Sequence, residues 1–203
     1  MSRVLLAAAL AVLVGVPVRA QSDLSGSSVA LGASGTYVGA VSHSGYASLG
    51  DLRGRGVSLD ATYNRLSVGA GVTFLRDETS VDLAAGVHVA RNPNAQLATT
   101  LGLAVSLLED GVRVATPSLS HSRRVYRRPG FAVVPGAAVG FAVVSSGRGR
   151  RDLQPVASAQ LGLVLGRGPT RAVVAPSVGW TEGTSRTVTV GVSAGVTRAV
   201  GRR

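Results

Sequence analysis

Residues 187–197 read TVTVGVSAGVT, which sets Val188, Val190, Val192, Ala194 and Val196 on one side of the chain and Thr189, Gly191, Ser193 and Gly195 on the other. Strict alternation is the period of a β-strand, whose successive side chains point to opposite faces, whereas a helix repeats every 3.6 residues. The second face is as informative as the first, because it is built of glycine and small hydroxyl residues and carries no charge.

The same reading extends along the chain. Residues 66–74 oppose Leu66, Val68, Ala70, Val72 and Phe74 to Ser67, Gly69, Gly71 and Thr73. Residues 81–89 place Asp82, Ala84, Gly86 and His88 on the small face, and residues 97–107 carry Leu97, Leu101, Leu103, Val105 and Leu107 on the apolar one. Residues 29–41, 57–63, 112–122, 131–144, 153–165 and 171–180 complete ten candidate strands; eight is the alternative, because 112–122 alternates poorly around Pro117. Polar, turn-forming stretches separate them: 64–65, 76–80, 91–94, 109–111, 127–130, 145–152, 166–169 and 181–185. Only 42–56 is long enough for a sizeable loop, so the connections predict a meander of sequential hairpins. Pro117, Pro135, Pro155 and Pro176 recur at a similar phase and predict a bend at a similar height in each of their strands.

Strand length and the small face separate a barrel from a soluble sandwich. Several candidates run for about eleven residues, enough for a tilted strand to cross hydrocarbon, whereas soluble strands average about 5 to 6. A water-facing sheet would carry Lys, Glu and Arg on its second face, and this one carries Gly, Ala, Ser and Thr. The charges gather in the turns; the mid-strand exceptions Asp60, Asp82 and His88 all fall on the small-residue face. Exclusion of charge from the apolar face is expected where that face meets lipid, and closure into a barrel removes the edges of so many long strands.

Residues 1–20 have the form of a cleaved signal peptide: Arg3, an apolar run over 4–18, and Val18-Arg19-Ala20 before Gln21. The apolar run is shorter than the roughly 20 residues of a spanning helix. The domain expectation is therefore a signal peptide at 1–20 and a barrel domain at 21–203. The chain has no cysteine and hence no disulfide framework. Its formal charge is +11, all of the basicity from arginine, and +9 once Arg3 and Arg19 are removed. Guanidinium groups pair with phosphate oxygens; export makes nucleic acid a poor candidate and lipid phosphate a good one.

On these features the chain resembles the small outer-membrane β-barrel proteins of the OmpA-type and porin-like kind, over essentially the whole of 21–203. The resemblance is one of pattern, with Pro-then-Gly/Ala strand openings such as PGAAVGF at 135–141. It implies an all-β, antiparallel, up-and-down transmembrane barrel in the outer membrane of a Gram-negative cell, with Tyr37, Tyr63, Phe74, Phe131, Phe141 and Trp180 as candidates for interfacial girdles. The expected role is a non-enzymatic integral protein, structural or a narrow passive pore, with outer-membrane lipids as partners and no cofactor or metal. A secreted β-sandwich binding module is the alternative, and a membrane-embedded hydrolase the third reading.

Candidate lumen residues are Asp60, Asp82, His88 and Gln96, with Gln96 or Arg113 as hydrogen-bond partners of the two aspartates. Arg148, Arg150 and Arg151 are candidate contacts for lipopolysaccharide phosphates at the outer leaflet. With both termini on the periplasmic side, 42–56 and 145–152 lie outside, and Arg123, Arg124, Arg127 and Arg128 face the inner leaflet. Ser120-His121-Ser122 is the one place where hydroxyl and imidazole crowd together, but strand neighbours point to opposite faces and no acid is near. His43, His88 and His121 are too dispersed for a metal site.

Overall fold

A computed structural model of the chain describes residues 27–41, 52–75, 78–92, 97–109, 111–145, 151–182 and 186–200. They form eleven strands: β1 (Ser27–Val41), β2 (Leu52–Tyr63), β3 (Leu66–Leu75), β4 (Glu78–Asn92), β5 (Leu97–Leu108), β6 (Arg113–Arg123), β7 (Tyr126–Arg128), β8 (Phe131–Ser145), β9 (Arg151–Leu165), β10 (Thr170–Glu182) and β11 (Arg186–Val200). Pairing is antiparallel throughout and follows chain order, with two seams that close the ring. β1 pairs β11 from Ser27↔Val200 to Val41↔Arg186, and β6 pairs β8 from Arg113↔Ser145 to Ser122↔Gly136. Short β7 lies on the same edge of β8 as β6, at Tyr126↔Val133 to Arg128↔Phe131, so β6 and β7 occupy one place in the ring. The result is a ten-position, closed up-and-down barrel, as the alternation predicts, and the resemblance to small outer-membrane barrels holds at the level of architecture. Closure satisfies the backbone groups that an open sheet would leave unpaired at its two edges.

Tight turns fix the register locally. Asn64 joins β2 to β3 with φ at 50°, a left-handed value that asparagine tolerates better than most residues. Pro129 and Gly130 join β7 to β8; proline presets the first central position of the turn, and Gly130, at φ 82°, supplies the left-handed second one. Several sequence boundaries shift. Residues 52–56 belong to β2, 78–80 to β4, 126–128 to β7, and Arg151 and Asp152 to β9, because the ladder continues into stretches whose composition is turn-like. One residue too many on β4 is absorbed by a bulge between His88 and Ala90.

The four prolines share a phase but not a height. All four sit on the outward phase of their strands; Pro135 pairs Leu161 and Pro155 pairs Phe141, six residues apart along β8. Pro117 and Pro176 instead interrupt the ladder, of β6 with β8 and of β10 with β9, since proline brings no N–H to it.

The two ends of the barrel differ. The first and last described residues, Ser27 and Val200, share one end with the connections 64–65, 93–96, 124–130 and 166–169. The other end holds 42–51, 76–77, 109–112, 146–150 and 183–185. Loop 42–51 and the 146–150 connection thus share an end opposite to Arg123–Arg128, the relative placement that the strand count predicts.

Candidate functional site: the exterior belt and the lumen

On β2–β6 and β8–β11 the outward positions carry large apolar side chains at exposures that far exceed the apolar patches of a soluble surface. Val57 and Leu59 on β2, Leu66 and Val68 on β3, Leu83 and Val87 on β4, Leu101 and Leu103 on β5, Val139 on β8, Leu161 on β9, Val178 on β10, and Val190, Val192 and Val196 on β11 are all exposed. Among the described residues, no Asp, Glu or Arg interrupts this belt at mid-height.

Aromatic residues border it. Tyr63, Tyr126 and Phe131 lie at the end that carries the termini, and Phe74, Phe141 and Trp180 toward the other. Tyr63 is 71% exposed and Phe141 52%. Tyr126 and Phe131 meet edge to face with centroids 6.1 Å apart. Phe131 and Phe141 stand ten residues apart on one strand, which is about 33 Å along it and, at a tilt near 40°, about 25 Å along the barrel axis, the height of an outer-membrane apolar band. Tyr37 belongs to β1, whose side chains lie outside the described set.

Inward positions are small. At mid-height the half-buried lining includes Ser118, Ser120, Ser158, Gln160, Ser177 and Ser193. Toward the terminal end, Ala132, Val134, Val164 and Val173 bury against one another across β8, β9 and β10. Toward the opposite end, Val114, Ala142 and Val144 are buried, and Gln154 is only 2% exposed, its Nε2 donating to Asp152 Oδ2 at 2.7 Å. The lumen wall along β6–β10 therefore buries small apolar side chains toward both ends, with Ser122, Thr116, Gln154 and Thr181 buried among them and half-buried hydroxyls between.

Asp82 and His88 both lie on the inward phase of β4. Thr73 Oγ1 donates to Asp82 Oδ2 at 2.8 Å, Ser80 Oγ to Oδ1 at 3.1 Å, and the Ser106 hydroxyl makes a third bond to the carboxylate. His88 Nδ1 lies 2.7 Å from Thr100 Oγ1, while its backbone N–H donates to the Arg65 carbonyl at 2.7 Å, beside the bulge. Asp60 is half-buried on the inward face of β2. Arg113 is not a lumen partner of either aspartate: it is exposed on the outward phase of β6, and hydroxyls of β3, β4 and β5 take its place around Asp82. Gln96 lies outside the described residues, as do Arg148, Arg150 and His43. Arg151 is described, exposed on the outward phase of β9.

The partners of Asp82 were findable in part. Register makes Ser106 its direct cross-strand neighbour and Thr100 that of His88 only because of the bulge between His88 and Ala90; carried on unshifted from Asn92↔Leu97, the hairpin would pair them with Leu107 and Leu101. Ser80 is the same-face neighbour two residues before Asp82 on β4 and follows from the alternation, whereas Thr73 depends on the β3–β4 register. Asp82→Ala is expected to leave three inward hydroxyls without their acceptor and to cost about 1–3 kcal/mol in equilibrium unfolding. Asp82→Asn, which keeps one acceptor oxygen, is expected to cost less; equal losses in the two variants would rule out the hydroxyl cluster as the cause.

Ser120 and Ser122 face the lumen whereas His121 is on the exterior, its Nδ1 2.9 Å from Thr99 Oγ1. That separation rules out a nucleophile–base pair within this triplet. No group of three metal-ligating side chains occurs among the described residues.

No known family and no curated protein matches the sequence. Among solved structures, the chain is similar to the outer membrane protease OmpT from Escherichia coli, at 12% identity over 86% of this chain and 96% of that one, with a TM-score of 0.49. It is also similar to Neisserial surface protein A, at 13% identity over 86% and 97%, TM-score 0.41, and to the attachment invasion locus protein Ail of Yersinia pestis, at 15% identity over 85% and 98%, TM-score 0.35. The barrel assignment stands on the strand pairings of this chain itself.

Proposed function

We propose that the chain is a non-enzymatic integral protein of the outer membrane, a structural barrel with a narrow lumen. The observation that carries this reading is the belt of exposed Val, Leu and Phe side chains on β2–β6 and β8–β11, bordered by aromatic residues that stand ten positions apart on β8. In water such a belt would drive aggregation, whereas in hydrocarbon it is the stable exterior. Support for a structural role comes from the buried Val114, Ala142, Val144 and Gln154 layer, since small barrels filled by their own side chains leave little room for passage. Support for a non-enzymatic role comes from the opposite faces of His121 and its flanking serines.

The protein is expected to fractionate with outer membranes, to need detergent for extraction, and to run at different gel mobilities before and after boiling. A soluble monomer in periplasm or medium would end this reading. A passive pore is the second reading, favoured by the half-buried hydroxyls at mid-height; stepwise conductance in a planar bilayer would select it over a closed structural barrel.

A further inference from the structure

The two ends of the barrel carry different electrostatics. At the end with the termini, Arg65, Arg123, Arg127, Arg128, Arg167 and Arg198 are all exposed. Turns 64–65, 124–130 and 166–169, with the two strand residues on either side of each, contain no Asp or Glu. At the opposite end the strand termini mix signs, with Glu109, Asp152 and Glu182 near Arg113, Arg151 and Arg186.

Separate turns are tied into one surface. Gly166 N–H donates to the Gly130 carbonyl at 2.9 Å, and Ala199 N–H donates to the Pro169 carbonyl at 2.9 Å. These bonds link the Arg127–Arg128 turn, Arg167 and Arg198 in a continuous arc across β7–β8, β9–β10 and β11. The stem of Arg167 also runs beside Gly130. Arg128 sits over the Tyr126 ring at 5.4 Å, holding a cation at the level of the aromatic girdle. Arg123 and Arg198 continue the outward phase of β6 and β11, directly beyond Leu119 and Val196 of the apolar belt. An arginine whose stem follows lipid and whose head clears it is placed at headgroup depth.

We propose that this arc is a binding surface for anionic glycerophospholipid headgroups, a phosphate collar that anchors the terminal end of the barrel in its leaflet. The inference rests on the membrane-barrel reading and adds to it a lipid class and an end. Guanidinium forks pair two oxygens of a phosphodiester at once, and the absence of Asp and Glu along the arc among the described residues leaves headgroup phosphate as the complementary charge. Short connections mark the periplasmic end in barrels of this kind, and the leaflet there is one of glycerophospholipids.

The test uses the full-length protein, folded into phosphatidylcholine vesicles doped with phosphatidylglycerol, with spin-labelled versions of each lipid reporting the fraction held at the protein surface. The expected result is a roughly three- to tenfold preference for phosphatidylglycerol, falling with added salt. Combined R123Q, R128Q and R198Q should bring the preference close to unity while heat-modifiable mobility is retained, and combined R113Q and R151Q at the other end should leave it intact. Equal preference in wild type and the triple variant overturns the collar, as does equal loss in the opposite-end variant. Binding of soluble dextran sulfate without any lipid preference overturns it in favour of a general polyanion surface. Failure to enter vesicles of either composition overturns the membrane reading itself and the collar with it, an outcome read from gel mobility before any lipid is labelled.

Discussion

Gly140→Val is expected to abolish the heat-resistant folded form or to destabilise it by about 3 kcal/mol or more. Gly140 lies on the inward phase of β8 at the seam where β6 closes the ring, paired with Ser118. A Cβ added there would overlap the Pro117 carbonyl oxygen and sit 3.0 Å from Ser118 Cα. Both are backbone atoms of the neighbouring strand, so no side-chain rotation relieves the clash, and relief requires the strands to part. The seam has little to spare, since its ladder is already interrupted at Thr116 and Pro117. Gly102→Ala is the matched control: its added Cβ meets only the Ala85 carbonyl oxygen and Ser118 Oγ, both at 3.5 Å, and its cost is expected to stay within about 1 kcal/mol. Denaturant midpoints in vesicles and the fraction of fast-migrating unboiled protein both read the difference. Equal behaviour of the two variants would mean that β6 and β8 do not approach as closely as described.

Leu103→Arg carries the second large effect. Leu103 is 49% exposed at mid-height on the outward phase of β5. If that face meets hydrocarbon, arginine there costs about 2–4 kcal/mol; on a water-facing sheet the same exposed position would change stability by only about 0.5 kcal/mol in either direction. The cost is expected to decline with depth, so that Leu165→Arg, at the strand end beside the arginine collar, loses about 0–1 kcal/mol. Unfolding of the two variants from the same vesicles measures the profile. A flat profile with both variants near wild type would remove the lipid from the exterior of this barrel and leave its apolar belt unexplained.

Much of the fold was legible because the signal is local. In residues 187–197 every second side chain is apolar, and the structure puts Val190, Val192 and Val196 outside and Thr189 and Thr197 inside. The lipid-facing assignment of Val72, Val105 and Val190 follows from the same period of two. Boundaries were less legible. Tyr126–Arg128 has a turn-like composition, yet it is a strand because β8 extends past the end of β6 and offers a free edge to pair with.

By itself, the sequence determined the all-β class and the assignment of faces, and left ten strands and eight both open, because a pleated chain exposes alternate residues to opposite sides whatever its neighbours are. Only the tertiary structure decided three things. It showed that the ring closes through the pairings β1–β11 and β6–β8, a long-range fact that no local period encodes. It replaced Arg113 with the hydroxyls of Thr73, Ser80 and Ser106 as the partners of Asp82, since a one-residue difference in phase sends a side chain to the other face. And it gathered Arg65, Arg123, Arg128, Arg167 and Arg198, scattered over more than half of the chain, at one end of the barrel, because in an up-and-down meander every second turn returns to the same end.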